Sequence, residues 1–134
     1  MKKYFTVEEA NALIPAVNRD LTRLQDITQK FEEKLQIREL LISKKLVFQG
    51  SPDVDPVFTL ECEMDFLQME ANMLIQSIRS KGADLKDIET GLVDFPSKIG
   101  AEEVLLCWKQ GEERIRYYHG LFDGFVGRRP LDEA

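Results

Sequence analysis

The chain has 134 residues, a mass of 15.5 kDa and a pI near 4.9, with 24 acidic and 18 basic side chains for a formal charge of −6. The length suits a single domain spanning 1–134 with a core of its own. The acidic total argues against broad electrostatic capture of nucleic acid or anionic lipid, and no apolar run approaches the ~20 residues of a membrane span.

The start, Met1 to Phe5, carries no apolar export signal, so the expected location is the cytoplasm. In that reducing compartment Cys62 and Cys107, far apart and without a CxxC spacing, read as buried thiols rather than a disulfide. Thr6-Val7-Glu8-Glu9 has capping-box spacing and opens the first helix. Apolar residues then recur at Ala10, Leu13, Ile14, Val17, Leu21, Leu24, Phe31, Leu35, Ile42 and Leu46. At ~100° per residue they form one stripe, with Thr28 filling a seam position of the heptad rhythm. The stripe keeps its phase across Pro15, which predicts a kinked helix rather than two. Over residues 7–46 such a helix is roughly 60 Å long, too long for a compact domain, so it must project or pair.

Gly50, Pro52 and Pro56 with small polar neighbours mark a loop, and Asp55-Pro56 suits an N-cap followed by proline at the first helical position. The second helix is predicted to run to Lys81, with Gly82 as its stop. One of its seams reads Leu60, Met64, Leu67, Ala71, Leu74, Ile78; a second, nearly opposed set reads Phe58, Cys62, Phe66, Met69, Met73. A helix with two opposed apolar faces must be covered twice. The first helix covers one, and the C-terminal third or another subunit covers the other. Charge supports a hairpin of about residues 6–82, since residues 1–46 carry +2 and residues 47–90 carry −6.

After residue 90 the texture becomes strand-like. Gly91 to Pro96, Val104 to Trp108 and Arg114 to His119 read as a small antiparallel sheet, the last with Ile115, Tyr117 and His119 on one side. The glycine-rich segment from Gly120 to Leu131 reads as a loop with fixed turns in which Phe122, Phe125 and Val126 need burial. The fold class is therefore α+β, mainly α: a long antiparallel, coiled-coil-like helical hairpin, then a β element and glycine-rich segment over about 90–131.

Candidate chemistry gathers in this last third. His119 is the one histidine, so histidine-based acid–base or metal chemistry must use it. Asp94 and Asp123 are the carboxylates placed to orient it or share a divalent metal with it, although no HExxH-type spacing accompanies them. Those three are the catalytic and metal candidates. Arg128 and Arg129 after Gly127 suit a small anion, and Trp108 and Glu112 complete the ligand-binding candidates. Each has a structural alternative: a histidine tied to backbone, a tryptophan anchoring a core, arginines paired with nearby carboxylates.

The segments Tyr4-Phe5-Thr6-Val7-Glu8-Glu9-Ala10-Asn11-Ala12-Leu13-Ile14-Pro15, Gly91-Leu92-Val93-Asp94-Phe95-Pro96, Leu106-Cys107-Trp108 with Gly111-Glu112, then His119, Gly124-Phe125 and Gly127-Arg128 resemble motifs of the bacterial domain of unknown function 2203. The resemblance covers nearly the whole chain. One departure is Tyr118, where that family more often carries Trp. The resemblance implies a small bacterial cytoplasmic protein and assigns it no activity. The leading expectation is a non-enzymatic oligomerisation or protein-interaction module, a homodimer or larger. The alternative is a small-ligand or metal-dependent enzyme built on Asp94, His119, Asp123 and Arg128. The sequence itself requires no cofactor.

Overall fold

The structure is a computed structural model that describes residues 3–44 and 55–133. Helix α1 spans Val7–Ser43 and α2 spans Pro56–Ser80. Five strands follow, β1 Asp84–Asp87, β2 Leu92–Ile99, β3 Glu102–Lys109, β4 Tyr117–Gly120 and β5 Arg129–Pro130, in an antiparallel meander of order β1-β2-β3-β4-β5. The expected loop positions Gly50 and Pro52, and Leu46 at the end of the first stripe, lie outside the described residues.

The helix ends follow from their caps. Glu9 N–H donates to Thr6 Oγ1 and Thr6 N–H donates to Glu9 Oε1, both at 3.1 Å, completing the capping box. Asp55 Oδ1 accepts from Val57 N–H at 3.0 Å, with Pro56 in the first turn. Helix α1 continues through Pro15. Asp20 pairs with Lys81, Arg23 with Glu70, Lys34 with Glu63 and Arg38 with Glu61, so the two helices run antiparallel.

One core joins helices and sheet. Ala10, Ile14, Val17, Leu21 and Leu24 of α1 and Ile78 of α2 pack on Val93, Phe95, Leu106 and Trp108 of the sheet. Phe5 meets Phe95 edge to face at 5.5 Å. Phe5 N–H donates to Pro96 O at 2.7 Å and Ser97 Oγ donates to Phe5 O at 2.6 Å, so the N-terminal segment continues the edge of β2 beyond β1. That explains Pro96 inside a strand: its carbonyl, and hence its missing N–H, faces this short edge contact rather than a full ladder.

Several expectations are corrected. The α1 seam uses Ile27, which is buried, in place of Thr28, whose hydroxyl donates to Leu24 O at 2.8 Å. Ile42 is exposed, since the buried residues of α1 end at Ile27. Ile115 precedes β4 and turns into the helix-facing core, while Tyr117 and His119 pair with Cys107 and Leu105 on the opposite face. Strand β1, only four residues long with three of them charged, carries no apolar run that periodicity detects. Phe122 and Val126 are almost fully exposed. The C-terminal third packs on the helix seams and leaves Phe58, Phe66, Met69 and Met73 of α2 uncovered.

Candidate functional site

The two faces of the sheet divide the labour. Val93, Phe95, Leu106 and Trp108 face the helices. A strand alternates its side chains, so Asp94 of β2 and Cys107 of β3 point to the outer face, directly opposite one another in register. His119 of β4 joins them on that face, two residues along from Tyr117, the cross-strand partner of Cys107. All three are buried, at 3%, 1% and 3% exposure for Asp94, Cys107 and His119.

Nε2 of His119 lies 3.2 Å from each carboxylate oxygen of Asp94. Its Nδ1 lies 2.8 Å from Gly120 O, a carbonyl that accepts only, so the hydrogen-bond network assigns a proton to Nδ1 and turns Nε2 toward the cluster. Asp94 and Cys107 also share a side-chain hydrogen bond. One ligand-type atom from each of the three residues lies within 4.8 Å of the others. Burial raises the Asp94 carboxyl above its ordinary value, against the lowering influence of His119. Burial, with the Asp94 charge beside it, pushes the Cys107 thiol up to about 12. That thiol is protonated at neutral pH and is not an activated nucleophile.

Asp123 stands elsewhere. Its carboxylate accepts from Gly120 N–H at 3.0 Å and reaches Arg129 at 3.6 Å. A Cβ at Gly120 would come within 2.6 Å of Asp123 Oδ2, and one at Gly127 within 2.7 Å of Asp123 Cβ. The glycines of this segment thus make room for Asp123 as a turn-former. Arg128 reaches Glu112 Oε2 at 2.5 Å and lies 3.9 Å over the Tyr117 ring. Arg129 lies over the Tyr118 ring at 5.3 Å. Trp108 is a core residue whose Nε1–H donates to Glu112 O at 2.9 Å. The structure therefore brings Asp94 and His119 together, adds Cys107, and ties Glu112, Arg128, Arg129 and Trp108 to partners within the fold.

Cys107 is the member that sequence reasoning passed over as a core thiol. Alternation held the signal, since Asp94 and Cys107 each stand out of phase with the core residues beside them. A groove of about 1130 Å³ runs between the helices and β1 and includes Gln25, Gln29, Ile75, Arg79 and Leu85. It does not reach the cluster.

The uncovered face of α2 is the second feature of note. Phe58, Phe66, Met69 and Met73 recur along it, with Phe66 and Met73 at 74% and 71% exposure. None of the described helices is long and apolar enough to cross a membrane.

Fold and site define an α+β protein, two long helices closed at one end by a five-stranded meander with a buried Asp–Cys–His cluster on its outer face. A family model described as "Uncharacterized conserved protein (DUF2203)" matches residues 3–131, and the chain belongs to that family. No curated protein and no solved structure matches it.

Proposed function

We propose that the chain is a non-enzymatic oligomerisation module of the cytoplasm, a single domain whose helices pair in coiled-coil fashion with those of a second copy. The uncovered stripe on α2 is the observation that carries this reading. It runs from Phe58 to Met73, roughly 22 Å of helix, and a contiguous apolar patch of that kind marks an interaction surface.

Charge favours a second copy as its occupant. Glu61, Glu63 and Glu70 lie along α2, and each is paired with a base of the chain's own α1. Lys34, Glu63 and Glu70 border the groove that contains Phe66, Met69 and Met73, so its rim is already neutralised. Asp65, exposed beside the stripe, is the acid there without an ion pair among the described residues, so two acidic chains approach through a face on which Glu61, Glu63 and Glu70 are neutralised. Methionines adapt their shape to a self-complementary contact. Beyond the sheet, Ile37, Leu40 and Ile42 of α1 also remain exposed, and two such helix pairs can bury each other's apolar faces as a four-helix bundle.

Light scattering on the full chain at micromolar concentration tests the reading. A mass near twice 15.5 kDa, or a higher multiple, supports it; a clean 15.5 kDa species overturns it.

A further inference from the structure

We propose that Asp94, Cys107 and His119 bind one divalent transition-metal ion of the zinc class, which ties β2, β3 and β4 together on the outer face of the sheet. This goes beyond self-association and stands on a different part of the fold.

The geometry comes first. The three residues offer a carboxylate oxygen, a sulfur and an imidazole nitrogen within 4.8 Å of one another. The 3.2 Å between Nε2 and each Asp94 oxygen matches the ~3.3 Å edge of a tetrahedron built on metal–ligand bonds of about 2.0 Å. His119 is already held as ligating histidines are, with its other nitrogen donating to a backbone carbonyl. The ligand atoms come from three adjacent strands of one sheet, which fixes their spacing before any ion arrives.

Donor type selects the class of ion. Sulfur with imidazole suits zinc and its transition-metal neighbours, whereas magnesium and calcium take oxygen. Charge selects the valence. As ligands, a neutral imidazole, a carboxylate and a thiolate carry two negative charges, which a divalent ion neutralises. A monovalent or trivalent ion would leave net charge in a buried site, which is costly. The nearby cations are already engaged, Lys86 with Asp84 at 2.7 Å and Arg128 with Glu112 at 2.5 Å. Three protein ligands leave one tetrahedral position for water or an exogenous ligand.

Cobalt reports on such a site directly. Full-length chain, stripped with chelator and kept reduced, is titrated with Co²⁺. The expected result is a near-ultraviolet thiolate-to-cobalt charge-transfer band and intense visible bands of four-coordinate cobalt, saturating at one equivalent and bleached by Zn²⁺. Cys62→Ser keeps the charge-transfer band and Cys107→Ser abolishes it. His119→Gln and Asp94→Asn each weaken Co²⁺ binding by about tenfold or more. Only two cysteines exist, so a band that survives Cys62→Ser assigns Cys107 even if the buried variants fail to fold. Absence of the band in the native chain, or its loss in Cys62→Ser, overturns the proposal.

Discussion

Asp94 and His119 meet across an intervening strand: β3 lies between them, yet Nε2 sits 3.2 Å from both carboxylate oxygens. Spanning two strand spacings, roughly 10 Å, requires both side chains to lean over β3. The residue beneath them, Cys107, is small enough to allow it and contributes its own hydrogen bond to Asp94.

Removing the shared acceptor is therefore expensive. Asp94→Ala leaves Nε2 of His119 and the Cys107 thiol buried without their partner. A loss of about 3 kcal/mol in urea unfolding is expected, as for other broken buried pairs. Lys98→Ala, exposed on the same strand, is expected to change stability by less than about 0.5 kcal/mol. Equal effects from the two would refute the cluster as a structural unit.

The helix pair has an acid-sensitive tie. Burial pushes the Asp20 carboxyl upward, but hydrogen bonds from Ser77 and Lys81 outweigh it and hold the group below its ordinary 3.8. A carboxyl lowered in the folded state stabilises above its unfolded value, and the gain disappears as pH falls through the folded one. The stability advantage of the native chain over Asp20→Asn is thus expected to be present at neutral pH and to vanish below 3.8. Partial exposure keeps it to about 1 kcal/mol or less. An advantage that persists unchanged in acid would contradict the assignment.

The first turn of α1 offers a local check. Thr6→Ala removes the capping hydroxyl and is expected to cost ~1 kcal/mol in thermal or urea unfolding. Thr6→Ser is expected to restore it.

The two thiols differ in reach. Cys62 is half-buried on the uncovered side of α2, and Cys107 is buried and protonated at neutral pH. Iodoacetamide is expected to modify Cys62 well before Cys107 in the folded chain. Because Cys62 belongs to the apolar stripe, its alkylation is expected to slow as protein concentration rises. Mass mapping of the alkylated site checks both expectations, and faster labelling at Cys107 would contradict the burial.

Much of this was legible because local chemistry agreed with the tertiary outcome. Thr6 to Glu9, Asp55-Pro56 and Gly82 mark the helix ends, and short apolar runs mark β2 and β3. What escaped the sequence depended on distant partners. Thr28 and Ile27 compete for one seam, and only the position of α2 decides between them. Ile115 alternates with Tyr117 but is drawn to the helix core, where its N–H donates to Asn11 Oδ1 at 2.7 Å. Asp94 and His119 were recognisable by residue type. By residue type Asp123 is an equal third partner, because spacing along the chain cannot show that it folds back on Gly120. Cys107 was hidden by its apolar neighbours, since one residue of phase separates the helix-facing side from the outer side.

Self-association through α2 is the central claim, and sedimentation velocity of the native chain beside the double variant Phe66→Glu, Met73→Glu tests it most directly. Both side chains are exposed in the single chain, so the changes leave its core intact. The native chain is expected to sediment as a dimer or larger at micromolar concentration, and the double variant as a folded 15.5 kDa monomer. A native chain that sediments as a monomer, or a variant that associates as the native chain does, would contradict the account.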